Sequence, residues 1–318
     1  DNALRIKKKY QELKIIKGEN ELENFIQANS VQTFINALAG ISGLIPSYLV
    51  LKNNKTLITA NKESIVIGSK LLLSEKKREN QVIPIDSEHW SIFLLLDSIK
   101  KEKVDEIIIT GSGGPFLNLD KNEFENIKLE DALNHPIWNM GKMITISSST
   151  LANKGLEVLE AKELFGLSLD KIKIILHPQA KVHGMVRLID GSIISHCSKT
   201  SMVDPIHNAL TYPKIKPDGK LSLENEKFEF FPVNFDKFPM VRLAYLAGKN
   251  GQFSQMIYTI ANDVASKLFL EKKISYIKIA QGIEKALEKI KPFKINNISE
   301  IIEIERELRE KSKKIILE

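Results

Sequence analysis

Between Val31 and Ile109 the chain alternates short apolar runs with segments of helical character, which restricts it to folds whose helices cross over a largely parallel sheet. Phe34–Leu38 predicts a buried strand, Gly40–Gly43 a turn, Pro46–Leu51 a helix and Thr56–Thr59 the next strand. Ile65–Lys77 follows as a helix. Gln81–Ile85 is a strand that Pro84 confines to a sheet edge or a strand end. Trp90–Ile99 and Val104–Ile109 repeat the helix–strand order, and Thr110–Phe116 is a glycine-rich loop leaving a strand end, the usual ligand position in such folds. Lys171–Leu176, Met185–Leu188 and Ser192–His196 add strands, with Asp190-Gly191 as a hairpin turn, which favours a mixed sheet over a purely parallel one. Neither G-x-G-x-x-G nor G-x-x-x-x-G-K-[ST] occurs.

The flanks differ in character. Residues 1–30 are Lys/Glu-rich and helix-forming, interrupted at Gly18. Tyr212–Asn225, with two prolines and a glycine, is a polar connector that Phe228, Phe230, Phe231, Phe235 and Phe238 anchor to the body. From Pro239 the pattern is helical: Met240–Ala247, Gln255–Leu270, Ile274–Ile290 and Ser299–Ile316, with Ser299 as N-cap and Ile301, Ile304 and Leu308 on one stripe. Gly248–Gly251 and Lys291-Pro292 punctuate these helices.

With 318 residues, 43% of them apolar, the chain has room for two or three globular domains. It has no uncharged apolar run of about 18 residues and no secretory apolar segment near its start, so no membrane association is expected. Cys197 is the single cysteine, which excludes an internal disulfide and fits a reducing compartment. The net charge of +6 is spread along the chain, which favours anionic small molecules over nucleic acid as partners.

One stretch gathers chemistry. Asn134–Phe165 holds His135, Trp138 and Met140 in a loop, then Ser147, Ser148, Ser149 and Thr150, then Asn153, Lys154 and Glu157 near a helix start. Hydroxyls, an amide and an ammonium before a helix N-terminus suit a phosphate. Ser112 in its glycine-rich loop extends that reading. Asp86 and Glu88, two apart beyond a strand, would with Glu157 offer hard oxygen ligands to Mg²⁺ or Mn²⁺. Spacing alone leaves a solvated acidic loop as the alternative, and Lys154 pairing with Glu157 as an ordinary helix-surface contact. Trp138 is either a lid over a ligand or a core plug. Lys62 ends an apolar run and points toward Asp86 if the strands are neighbours; otherwise it is a surface lysine. His177, His183, His196 and His207 show no strong ligand spacing, and His183 lies near Gln179.

In order along the chain stand ANKES at Ala60–Ser64, PIDSEH at Pro84–His89, TGSGGPF at Thr110–Phe116, HPIWNMG at His135–Gly141, NKGLEVLEA at Asn153–Ala161, HPQAKVHGMV at His177–Val186 and IANDVA at Ile260–Ala265. From about Ala28 nearly to the C-terminus the chain thereby resembles the 1-deoxy-D-xylulose 5-phosphate reductoisomerase family. The resemblance implies an α/β chain with an incomplete Rossmann-like NADPH domain (1–80), an α/β catalytic domain with a mixed sheet and flap (81–211), a connector (212–238) and a C-terminal helical domain (239–318). It implies NADPH and Mn²⁺ or Mg²⁺ as cofactors, a sugar-phosphate substrate, a homodimer, and a bacterial cytoplasm or, behind an import segment, a plastid-type organelle.

Residue by residue, it makes Asp86, Glu88 and Glu157 the metal ligands and Lys62 the active-site lysine. Ser87, Ser112, His135, Trp138, Ser148, Asn153 and Lys154 become substrate binders, with Trp138 and Met140 in the flap. Gly40, Ala60, Asn61, Glu63, Gly141 and Met202 fall on the cofactor side. Three departures are expected to matter. The family's opening glycine-rich motif and first strands do not occur, so Gly40–Gly43 and Ala60–Glu63 supply only part of an NADPH site. Met143 and Ser147 replace a lysine and an aspartate usual in the family, and Asp263 replaces a glutamate. The expectations are a piece of a normal enzyme or an inactive relative that binds metal and sugar phosphate without hydride transfer.

Overall fold

The computed structural model describes residues 2–12, 15–16, 18–28, 30–215, 220–291 and 294–318. Helices α1 (Asn2–Lys9) and α2 (Glu19–Ala28) lead into a parallel sheet of β1 (Thr33–Asn36), β2 (Thr56–Thr59) and β3 (Val82–Pro84) in that order, connected through α3 (Leu44–Lys52) and α4 (Lys62–Leu73). The strand expected to be buried at Phe34–Leu38 spans only Thr33–Asn36 at the sheet edge, and Ile35 is 54% exposed. Pro84 ends β3 on the opposite edge, where its missing N–H interrupts no ladder. Residues 82–84 therefore belong to the first sheet, with Leu57 opposite Val82 and Ile58 opposite Ile83, and a boundary at 81 cuts through it.

α5 (Ser87–Ser98) carries the chain to β4 (Val104–Gly111), the centre of a second sheet. After it come α6 (Leu129–Ala132), α7 (Lys142–Ser149), α8 (Ala152–Phe165), β5 (Ile172–Leu176), β6 (Val182–Leu188), β7 (Ile193–Cys197), α9 (Val203–Thr211) and β8 (Phe231–Pro232). The order is β7-β6-β4-β5-β8; β4 and β5 are parallel and every other pair antiparallel, so the sheet is mixed. The segment read as a connector thus supplies a strand, because Phe231 and Pro232 complete the open edge of β5. Phe228 and Phe230 stack on His177 and Phe238 is buried, whereas Phe231 and Phe235 are exposed. Pro217 and Gly219 of that segment, and Pro292, lie outside the described residues.

Four helices complete the chain: α10 (Pro239–Asn250), α11 (Gln252–Leu270), α12 (Ile277–Lys289) and α13 (Ile298–Leu317). Asn297, not Ser299, caps α13; its side chain accepts from Glu300 N at 3.0 Å, while Ser299 already lies inside the helix. Ile301, Ile304 and Leu308 are buried as one stripe. The largest core runs without interruption from Leu44 and Ile67 through Leu156 and Leu159 to Met240, Met256 and Ile283, so the terminal helices share their interior with α4 and α8. Gly155 makes that contact possible: a Cβ there would stand 2.3 Å from the Tyr258 hydroxyl.

Candidate active site

β2 and β3 end side by side, and their parallel register delivers Lys62 and Asp86 to one place. Lys62 opens α4, and Asp86 caps α5 with its side chain accepting from Glu88 N at 3.4 Å. α8 faces them with Asn153, Lys154 and Glu157 on a single side, as helical spacing requires.

The side chains form one network. Lys62 Nζ stands 2.5 Å from Asp86 Oδ2, 3.0 Å from Asn153 Oδ1 and 3.3 Å from Glu157 Oε1. Lys154 Nζ donates to Glu88 Oε1 at 2.5 Å and to Glu157 Oε2 at 2.6 Å. Ser87 Oγ donates to Glu88 Oε2 at 2.6 Å. Three carboxylates thus share two ammonium ions, an arrangement one positive charge short of neutrality. It is held by largely buried groups, where charge is costly unless paired.

Behind it lies a pair that sequence reading missed. His89 is fully buried, with Nε2 3.0 Å from the Glu157 carbonyl and 3.5 Å from Glu160 Oε2, and Nδ1 3.8 Å from Asp86 Oδ1. His89 follows the cap residue Asp86 by three positions, and Glu160 follows Glu157 by three on α8, a signal that could have found both. Burial opposes a charged imidazole, but Glu160 and Asp86 raise His89 to about 9. Burial likewise opposes the Lys62 ammonium, yet Asp86 and Glu157 hold it well above its ordinary value. Asp86 is depressed by Lys62 and His89 despite burial. Burial pushes the Glu157 carboxyl up to about 7, against the pull of Lys154 and with the help of Asp86.

Asp86, His89 and Glu157 each offer an atom within 4.8 Å of the others, a grouping able to hold a metal ion among the described residues. Glu88, expected as the third ligand, is turned instead toward Lys154 and Ser87. His89 is fully buried behind these carboxylates, its Nε2 3.0 Å from the Glu157 carbonyl and 3.5 Å from Glu160 Oε2. Lys154 bridges Glu88 and Glu157, and Lys62 bridges Asp86 and Glu157, so each ammonium stands where a cation joins two of the three carboxylates. An all-oxygen donor set of this kind fits Mg²⁺ or Mn²⁺.

Next to the carboxylates lie Ser112, from the glycine-rich loop after β4, and Ser148, near the end of α7. Gly111 lets the Lys154 stem pass, since a Cβ there would lie 3.1 Å from it, and Gly114, at φ +64°, lies so close to the Ser148 carbonyl that a Cβ would stand 3.0 Å away. Ser112 Oγ is 3.4 Å from His135 Nε2. His135 Nδ1 accepts from the backbone N–H groups of Ile137 and Trp138, at 3.1 and 2.9 Å, which leaves the neutral ring's proton on Nε2, facing Ser112. Burial lowers the His135 pKa, consistent with a neutral ring.

A cavity of about 570 Å³ joins these parts. Its wall includes Lys62, Asp86, Ser87, Glu88, Ser112, Ser148, Asn153, Lys154 and Glu157, with Trp138 and Met140 from the loop before α7. Gly40, Ala60, Glu63 and Met202 line it as well. Asn61, His135 and Gly141 do not. Asn61 is fully buried and spends its amide on the Leu38 and Gly40 carbonyls, at 2.7 and 2.8 Å, shaping the loop instead of facing the cavity. Gly141 precedes α7 as its N-cap. Ser147 lines the cavity too, its hydroxyl buried without a hydrogen-bond partner.

Three domain families match the chain. One described as 1-deoxy-D-xylulose 5-phosphate reductoisomerase covers residues 2–69, its C-terminal domain residues 82–165, and a DXP reductoisomerase C-terminal domain residues 197–311. The chain is 42% identical over 300 residues to the 1-deoxy-D-xylulose 5-phosphate reductoisomerase of Sulfurihydrogenibium sp. (strain YO3AOP1), spanning 93% of this chain and 79% of that one. Against that of Aquifex aeolicus (strain VF5) it is 41% identical over 306 residues, 95% of this chain and 79% of the relative. A crystal structure of a DOX-P reductoisomerase with NADPH, fosmidomycin and magnesium superposes with a TM-score of 0.91 at 28% identity, covering 99% of this chain and 84% of that one. The Zymomonas mobilis enzyme with NADPH gives 0.86 at 32%, covering 94% and 78%.

Proposed function

The chain belongs to the 1-deoxy-D-xylulose 5-phosphate reductoisomerase family, and from that premise we propose that it catalyses the NADPH-dependent conversion of 1-deoxy-D-xylulose 5-phosphate to 2-C-methyl-D-erythritol 4-phosphate. The observation that carries this reading is the meeting of Asp86, Glu88 and Glu157 around shared cations beside Ser112 and Ser148. Asp86, Glu88 and Glu157 would hold Mg²⁺ or Mn²⁺, which when bound supplies Lewis-acid stabilisation of the ketone and neighbouring hydroxyl oxygens during the carbon-skeleton rearrangement. Gly40, Ala60, Glu63 and Met202 mark the side of the cavity that would receive NADPH, which delivers hydride to the rearranged aldehyde.

The chain's own groups do the rest. Ser112, Ser148 and Asn153 anchor the phosphate end, with His135 beside the Ser112 hydroxyl, fixing the reacting carbons relative to the carboxylates. Lys62, beside Asp86 and Glu157, would polarise a substrate oxygen next to the metal. Trp138 and Met140 cover the cavity and exclude water. Residues 1–80 together with β3 act as the cofactor side, the segment to 211 carries the chemistry, and 239–318 backs it.

The protein is read as a homodimer. On the edge strand β7, Ile193 and Ile194 are 46% and 40% exposed, and on α9 Val203 and Leu210 are 63% and 50% exposed, apolar surface that a second copy would cover. Among the described residues no helix is long and apolar enough to cross a membrane. The bacterial cytoplasm is the proposed location, with a plastid-type organelle as the alternative.

The deciding experiment incubates the protein with 1-deoxy-D-xylulose 5-phosphate, NADPH and Mg²⁺ or Mn²⁺, follows NADPH loss, and identifies the product by mass spectrometry. Product formation that stops on chelation is expected. Substrate and metal binding without NADPH consumption would refute the reductase and leave a sugar-phosphate binder.

A further inference from the structure

The short link between α7 and α8 carries the substrate side of the site, with Ser148 just before it and Asn153 and Lys154 just after. It is not a relaxed turn. Leu151 sits at φ 57° and ψ 17°, a left-handed conformation that costs a non-glycine residue energy and persists only where its surroundings impose it. The last carbonyls of α7 are satisfied from within the segment: Thr150 N, Ser149 Oγ and Thr150 Oγ1 reach Ile146 O, and Leu151 N reaches Ser148 O. Ser149 O is reached from elsewhere. Its donor is the hydroxyl of Tyr276, 2.8 Å away and buried, at the start of α12.

Tyr276 also touches the Ser112 side of the site. Its ring meets Phe116, at the end of the glycine-rich loop that carries Ser112, edge to face at 5.2 Å between centroids. Phe124 and Phe269 hold the ring from two further sides at 5.8 and 5.7 Å. A second tyrosine of the terminal helices repeats the device beyond the link: the Tyr258 hydroxyl lies 3.3 Å from the Ala152 carbonyl and 3.1 Å from that of Met240.

We propose that Tyr276 is a positioning residue for the phosphate end of the substrate, its hydroxyl fixing the Ser148–Ser149 segment while its ring fixes the Ser112 loop, with Tyr258 setting the start of α8 in the same way. The terminal helices, which the sequence marks only as packing, thereby control the spacing of Ser112 and Ser148. The inference rests on the proposed reductoisomerase reading, because that reading makes Ser112 and Ser148 the phosphate binders. Neither tyrosine touches substrate, so loss of a hydroxyl should weaken binding more than turnover.

The test compares wild type with Tyr276→Phe, which keeps every ring contact, in steady-state kinetics with 1-deoxy-D-xylulose 5-phosphate and in calorimetric titration of the same compound. Tyr276→Phe is expected to raise KM and Kd at least fivefold with kcat changed less than twofold and Mg²⁺ affinity unchanged. A Tyr276→Phe protein whose melting temperature falls while KM and Kd stay within a factor of 1.5 would overturn the proposal, since a purely structural tyrosine gives that result. Wild type that neither binds nor turns over the compound would sink the functional reading itself, and this inference with it. Should Tyr276→Phe fail to fold, Tyr258→Phe carries the same test at the α8 side, with the same KM rise expected and the same unchanged value fatal.

Discussion

Replacing Gly155 by alanine would place a Cβ 2.3 Å from the Tyr258 hydroxyl and 2.8 Å from the Ala244 methyl, both inside the shared core of α8, α10 and α11. An ordinary contact needs a retreat of about 1 Å at the hydroxyl, in an interior packed as densely as an organic crystal. Alanine is the better helix former by about 0.8–1 kcal/mol. Overpacking costs about 1–3 kcal/mol, and displacing the hydroxyl from its two carbonyls roughly 1 kcal/mol more. The net expectation is a loss of about 1–3 kcal/mol, a melting-temperature fall of roughly 2–4 °C per kcal/mol. Activity should fall further than stability, because α8 carries Asn153, Lys154 and Glu157, and a misplacement of about 1 Å costs on the order of 10²-fold in rate. Thermal melts and kcat/KM measured on Gly155→Ala, Tyr258→Phe and the double variant check the reasoning. In the Tyr258→Phe background the glycine substitution should cost at least about 0.5 kcal/mol less, since the closest clash is gone. A Gly155→Ala protein with wild-type melting and wild-type activity would show that the α8 contact is not tight and would refute the argument.

Other perturbations probe the site directly. Glu157→Gln and Glu88→Gln should each weaken Mg²⁺ or Mn²⁺ binding by more than the ~10–100-fold typical of outer-shell changes, whereas His89→Asn should stay within that range; calorimetric titration showing Glu88→Gln equal to wild type would exclude Glu88 as a ligand. His135 has a lowered pKa from burial, so the unfolded chain takes up the proton first. Its contribution is complete above about pH 6.5 and is lost as pH falls from there through the lower folded-state value. Tryptophan emission reporting the Trp138 loop should follow that loss, and His135→Gln should flatten it. Ser147→Asp alone would bury a charge at a site 7% exposed and cost about 3–5 kcal/mol. Adding Met143→Lys one helical turn away should recover at least about 0.5 kcal/mol, measured by denaturant unfolding.

Periodicity found the elements whose identity is local. β2 is where its apolar run placed it, and the α5, α8 and α11 patterns became helices, because each is long or strongly apolar and closed by its own caps and turns. For Asp86, Glu88, Glu157 and Ser112 the spacing offered oxygen and hydroxyl donors beside a strand end or on a helix but left a solvated loop open, because it could not show that these segments meet. Edges were not legible. Whether Phe34–Asn36 is buried, whether Val82–Pro84 joins the first sheet, and whether Phe231–Pro232 pairs at all depend on which strand lies alongside, and a strand's sequence does not name its neighbour.

The amino-acid sequence by itself determined which side chains could do chemistry here, since residue type and local spacing fix what each can donate, accept or ligate. Only the tertiary structure decided that Lys62 and Lys154 bridge the three carboxylates, that His89 and Glu160 stand behind them, and that Tyr276 of the terminal region meets both the Ser149 carbonyl and the Phe116 ring. Those contacts join residues up to 160 positions apart, as from Phe116 to Tyr276, and exist only because burying one continuous apolar core brings the distant elements together.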